Sequence, residues 1–154
     1  MQEKRMIPLN FPKYSLRIKS RENKPLVFDP VRKKYVLLTP EEWVRQHCLQ
    51  FLIRDRGYPA GLTLVERQLV VEGLEKRMDI AVCHPDGRIL LLVECKAPSV
   101  AIDQGVFDQI ARYNWKARAG FLMVSNGLDH YFCQMDYTRK KYTFLEDLPE
   151  YHNL

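Results

Sequence analysis

No stretch of the chain approaches the roughly 18 consecutive apolar residues of a bilayer-spanning helix, so no such span is expected. No basic-then-apolar leader stands at the start, and no signal peptide is expected either. Cysteine is scarce and unpatterned. Cys48, Cys83, Cys95 and Cys133 contain no Cys-x-x-Cys pair and no zinc spacing. They read as reduced, mostly buried thiols of a cytoplasmic protein. His47, His84, His130 and His152 are scattered, with no metal-ligand spacing among them. The sequence has no repeats, no low-complexity tract and no Gly-x-x-x-x-Gly-Lys-Ser/Thr phosphate loop.

What is present suits one domain with a real core: 154 residues, 46% of them apolar and 28% charged. Lysine and arginine number 24 against 19 acids, for a net charge of +5. That balance favours an anionic partner such as nucleic acid, although solvated lysines also produce it.

Two adjacent apolar segments carry charge where charge is costly. Residues 77–82 and 89–96 read as β-strands joined by a turn at His84-Pro85-Asp86-Gly87. The run Ile89-Leu90-Leu91-Leu92-Val93 is apolar on both faces, as in a central strand covered on both sides. Yet it ends in Glu94, Cys95 and Lys96, and buried charges need partners. Side chains alternate along a strand, so Glu94 and Lys96 share a face while Cys95 points away. With Pro85 and Asp86 as the two turn residues, Asp79 falls opposite Leu92. It is then a diagonal neighbour of Glu94, roughly 7–8 Å away. Two carboxylates reaching inward from there can share one hard divalent cation. A one-residue change in the turn would move Asp79 to the other face.

Around this pair the chain reads as follows. Residues 1–24 are basic and polar, with a short edge strand at 14–18. Residues 26–29 and 34–38 flank Pro30 to Lys33 as a hairpin. Thr39-Pro40-Glu41-Glu42 starts a helix, with Thr39 as N-cap, Pro40 in the first position and Glu42 closing a capping box. The helix is predicted to run to about Arg56, with Val44, Cys48, Phe51 and Leu52 as its apolar stripe. Residues 62–71 form a strand, and 72–76 turn into the Asp79 strand. A second helix is predicted over 102–118, with Gly120 as C-cap. On it Gln109 and Tyr113 share a face. Residues 121–124, 131–135 and 141–145 are further strands, and 148–154 a short turn or tail. The pattern alone gives an α/β sandwich with a mixed sheet.

Asp79 followed by Glu94-x-Lys96 on consecutive strands resembles the motif of the PD-(D/E)XK nuclease superfamily. The local text is similar to the N-terminal nuclease domain of type I restriction enzyme R subunits. The resemblance covers most of residues 26–135. It includes Thr39-Pro40-Glu41-Glu42-Trp43-Val44-Arg45-Gln46 upstream. Downstream, Gln109-Ile110-Ala111-Arg112-Tyr113 looks like the Gln-x-x-x-Tyr motif of that branch. Met78 stands where the motif has proline. The resemblance implies a restriction-endonuclease-like α-β-β-β-α-β core, with a mixed central sheet flanked by helices. It implies a single nuclease-like domain over 26–154 behind a basic arm at 1–25. Without a phosphate loop, the ATPase motor of R subunits is not expected here.

By the same resemblance, Asp79 and Glu94 hold Mg2+ or Mn2+ through carboxylate oxygens and water. Lys96 orients the attacking water and stabilises charge at the scissile phosphate. Glu42 matches the upstream helix glutamate that completes the metal site; Glu66 is its rival and Glu41 a weaker one. Gln109 and Tyr113 contact phosphate or the other site residues. From their position on the same helix, and not from the resemblance, Arg112, Lys116 and Arg118 are candidates to grip backbone phosphates. Each has a plainer reading. Asp79 and Glu94 can be ion-paired to Arg77 and Lys96, Glu42 can serve only its capping box, and the Gln109–Tyr113 face can be an ordinary amphipathic one. The three cations can be solvated charge. Cys95 lacks an arranged His or Asn to activate it and reads as a packing thiol.

The function implied is metal-dependent DNA endonuclease, in which a metal-bound water attacks phosphorus. DNA is the expected partner, with a homodimer or other restriction or repair subunits as the assembly. The alternative is a catalytically silent nuclease-like module that binds nucleic acid or assembles a complex. Intact Asp79, Glu94 and Lys96 argue against it. A toxin-like or phage-defence effector would share the chemistry.

Overall fold

The computed structural model describes residues 6–71 and 73–154, leaving aside the side chains of Val71 and Leu74. Residues 1–5 of the expected arm and Glu72 of the expected turn lie outside the described residues. Strands β1 (Ile18–Arg21), β2 (Lys24–Asp29) and β3 (Lys34–Leu37) form a small antiparallel sheet. Helix α1 (Pro40–Gln50) widens into a π-turn over Phe51–Asp55 and leads to β4 (Thr63–Val71), β5 (Leu74–Cys83) and β6 (Ile89–Cys95). Helix α2 (Gln104–Tyr113) leads to β7 (Phe121–Ser125), β8 (His130–Asp136) and β9 (Lys141–Leu145). Strands β4 to β9 lie side by side in that order in a six-stranded mixed sheet. The β6–β7 pair is parallel and the others antiparallel. A parallel pair needs a crossover, and α2 provides it.

The sheet is covered on both faces, which is why β6 is apolar on both. Val44, Cys48, Phe51 and Leu52 of the first helix pack with Val65, Ile80, Leu91 and Val93. Phe107, Ile110 and Ala111 of α2 pack with Leu92, Leu122 and Val124. The outer side of α1 is buried too, because residues 6–14 cross it. Trp43 Nε1 donates to the Ile7 carbonyl at 2.9 Å, and Leu9 and Phe11 pack against the core. Gly127 (φ 87°) lies beneath this segment, where a Cβ would come within 2.7 Å of Leu9. Only glycine suits that position.

Helix α1 starts as expected in part. Thr39 Oγ1 accepts the Glu42 amide at 3.1 Å, with Pro40 in the first turn. The capping box does not close: the Thr39 amide bonds the Leu37 carbonyl, while Glu42 is engaged by Arg32, Arg45 and Gln46. Charge-assisted bonds to two guanidinium groups are stronger than one bond to an amide. The strand expected at 14–18 is displaced to Ile18–Arg21; Tyr14 is instead buried, its hydroxyl bonded to Asp55. Helix α2 ends at Tyr113, short of 118, and a 3-10 turn follows at Trp115–Ala117. The chain reverses at Arg118 (φ 53°) rather than at Gly120. Gly120 instead lies against the Leu90 carbonyl, 3.3 Å from where a Cβ would be.

The two-residue turn expected at Pro85-Asp86 is a longer loop. The His84 amide bonds the Arg88 carbonyl at 2.7 Å, and Asp86 accepts the Arg88 amide. Strand β5 pairs Ile80 with Val93, Ala81 with Leu92 and Val82 with Leu91, then slips by one residue at Cys83 and Ile89. The register at Asp79 is therefore displaced by two residues. Two is a full side-chain period, so Asp79 keeps its expected face but comes level with Glu94 rather than diagonal to it.

Candidate active site

Three strands bring Glu66, Asp79 and Glu94 to one level. Strands β4 and β5 pair through Val65–Ile80 and Arg67–Met78, which sets Glu66 across from Asp79. Pairing of β5 with β6 ends at Ile80–Val93, so Asp79 and Glu94 stand where those strands part. There Asp79 Oδ2 accepts the Cys95 amide at 2.8 Å, replacing a ladder bond with a side-chain one. Glu66 has a φ of 53°. A non-glycine residue held there costs on the order of 1–3 kcal/mol and persists only where its surroundings fix it. Here Arg45 and Arg77 both bind its carboxylate.

Arg45 reaches the cluster from α1 and is 4% exposed. Its Nη2 lies 2.9 Å from Glu41, 2.5 Å from Glu66 and 3.3 Å from Asp79, and its Nη1 lies 2.7 Å from Glu42. Burial works against this charge, but the surrounding acids, Glu42 foremost, more than offset it and raise the pKa. Glu41, Glu66 and Asp79 each offer an oxygen within 4.8 Å of the others. Glu94 adjoins them. Burial first, then the hydrogen bond and like charge of Asp79, push its carboxyl up to about 9, against the pull of Lys96. Burial and the like charge of Asp79 thus favour the protonated form of Glu94.

The structure thus brings Asp79, Glu94 and Lys96 together. The Lys96 amide bonds the Ser125 carbonyl at 2.9 Å, which fixes it at the edge of β7. Glu42 lies deeper in α1. Its oxygens are taken up by Arg45, by Arg32 at 3.0 Å and by Gln46 at 3.0 Å. Fully buried Asp29 holds Arg32 and Gln46 in turn. Glu41 and Glu66, rather than Glu42, reach Asp79. Tyr113 is half exposed and carries the Lys76 ammonium 4.4 Å over its ring. Gln109, one turn earlier, is exposed. Arg112, Lys116 and Arg118 are exposed as well.

Two residues were missed from sequence. Arg45 stands three and four positions beyond Glu42 and Glu41, an ion-pair spacing that is legible. Its bonds to Glu66 and Asp79 are tertiary and left no local signal. Asn114 lines the small space between β5 and β6 with Met78, Asp79 and Glu94, and its Nδ2 donates to the Ile110 carbonyl at 2.9 Å.

Residues 40–149 match the family described as type I restriction enzyme R protein N terminus. Among solved structures, the fold is similar to a fragment described as an HsdR subunit of a type I restriction enzyme from Vibrio vulnificus YJ016. The TM-score is 0.51 and the identity 21% over 73% of this chain. The chain spans about a quarter (24%) of that one. A search of curated proteins gave no match.

Proposed function

The chain belongs to the family of type I restriction enzyme R protein N termini, and on that premise we propose that it is a PD-(D/E)XK-type, Mg2+- or Mn2+-dependent DNA endonuclease domain. The observation that carries this reading is the row of Glu66, Asp79 and Glu94 across three strands, with Glu41 and Lys96 beside it. Hard cations take oxygen ligands at about 2.0–2.6 Å. The oxygens of Glu41, Glu66 and Asp79, within 4.8 Å of one another, are thus within reach of a single ion, and Glu94 adjoins Asp79. The raised pKa of Glu94 is a second sign: a divalent ion would offset the like charge of Asp79 that disfavours its ionisation.

Asp79 and Glu94 would hold the ion, with Glu41 or Glu66 completing the set in place of Glu42, whose oxygens are engaged elsewhere. Such an ion supplies a water of lowered pKa and neutralises charge at the scissile phosphate. Lys96 adds an ammonium that stabilises charge developing on the phosphate oxygens. Gln109 and Tyr113 are assigned to the DNA backbone beside the site, and Arg112, Lys116 and Arg118 to phosphates beyond it.

One observation favours the catalytically silent module. Arg45 Nη2 already stands among Glu41, Glu66 and Asp79 as a resident cation. Incubation of the protein with supercoiled, linear, branched and single-stranded DNA in Mg2+, Mn2+ or EDTA separates the two. Cleavage that needs either ion and disappears in Glu94→Gln is the expected outcome. Binding without cleavage in both ions would favour the silent module.

A further inference from the structure

Where α2 meets the β8–β9 hairpin, cations and aromatic rings share one surface. An open cavity of about 330 Å3 lies there, lined by Asp108, Ala111, Arg112, Trp115, Lys140 and Tyr142. Its rings are held by their neighbours. The Tyr142 hydroxyl bonds Asp108, and its ring stands edge-on to Phe144 at 5.7 Å. Trp115 packs on Tyr137 at 4.8 Å, and the Arg118 guanidinium covers Tyr137 from 4.7 Å. Arg112 and Lys140 are exposed at the cavity, and Lys116 and Lys141 are exposed near it along the chain.

Nucleic-acid phosphates need cations, and an unpaired base needs a rigid ring to stack on. This surface offers both within one cavity. A duplex hides its base faces, so the rings add nothing for it while the cations still do. We propose that this cavity is a subsite for single-stranded DNA, in which Trp115 and Tyr142 take one unpaired base and Arg112 and Lys140 take the phosphates beside it. Its position suits that role. The end of α2 presents Arg112 and Trp115 to the cavity, while the intervening Tyr113 and Asn114 adjoin Lys76 and the Asp79–Glu94 space. The inference rests on the proposed function in taking DNA as the partner, yet the cavity shares no lining residue with the carboxylate cluster.

The test is fluorescence anisotropy of labelled oligo-dT in EDTA, with a blunt duplex of equal length as comparison. Wild type is expected to bind oligo-dT. Trp115→Ala should weaken that binding about tenfold or more, from the worth of one stacked base. Trp115→Phe, which keeps a ring, should recover most of it, and duplex affinity should stay unchanged in Trp115→Ala. Oligo-dT binding in EDTA needs no divalent ion, so failure of the nuclease reading would leave this result unmoved. Thermal melts report whether each variant folds. Arg112→Gln combined with Lys140→Gln, both at exposed positions, serves if Trp115→Ala does not, and should weaken oligo-dT several-fold. No oligo-dT binding by wild type, or equal affinity in wild type and in the folded variants, would overturn the proposal.

Discussion

Burial and Asp79 raise the native pKa of Glu94 from its ordinary 4.5 to about 9. The native protein therefore holds this proton more tightly than the unfolded chain. The stability it contributes is full below about 4.5 and is lost as pH rises toward 9. Urea unfolding in EDTA across that window should show falling stability for wild type and a flatter profile for Glu94→Gln. Matching profiles would contradict the assignment. A divalent ion must displace the same proton, so Mn2+ affinity should rise over this window. Arg45 supports a second expectation. Arg45→Met leaves buried carboxylates without their cation, at a cost of about 3–5 kcal/mol. Chemical denaturation in EDTA measures this, and Mn2+ should restore part of it by mass action. At this scale the common face of Asp79, Glu94 and Lys96 was legible from strand alternation with an assumed turn length, and their reading as a site came mostly from the family resemblance. Their common face survives a two-residue error in register, because side-chain direction repeats every two residues. Arg45 was not legible as a site residue, since its partners on β4 and β5 are far away in sequence.

Element boundaries divide along similar lines. The stripe of α1 carries a clear 3.6-residue period, β6 and β7 are continuous apolar runs, and the structure keeps them as a helix and as strands buried on both faces. The end of α2 was misread because Arg118, a non-glycine, takes the left-handed conformation that sequence assigns to glycine. The start of β1 was misread because Tyr14 is drawn to Asp55 across the core rather than into a ladder. Glu42 looked like a capping-box residue because local spacing is the same whether its carboxylate turns to Thr39 or to two arginines. Thr39 itself does cap α1. Thr39→Ala should cost about 1 kcal/mol of stability, measured by urea denaturation, with the fold unchanged by circular dichroism. No loss would mean that the Thr39 hydroxyl contributes nothing net to the helix start.

For the molecule as a whole, a net charge of +5 suits a polyanion, and no helix among the described residues is long and apolar enough to cross a membrane. Cations that neutralise phosphates release counterions, so duplex affinity should fall steeply and linearly on a log–log plot against salt. Salt-insensitive binding, or none at 50 mM salt, would point to a protein partner. The central claim, however, concerns the metal. Thermal unfolding of wild type and Glu94→Gln, each with Mn2+ and with EDTA, tests it most directly. A divalent ion bound to the native site should raise the wild-type melting temperature by mass action and that of Glu94→Gln far less. No Mn2+ shift in wild type, together with strong destabilisation in both Glu94→Gln and Lys96→Ala, would mark Glu94 and Lys96 as a buried structural pair and contradict the nuclease account.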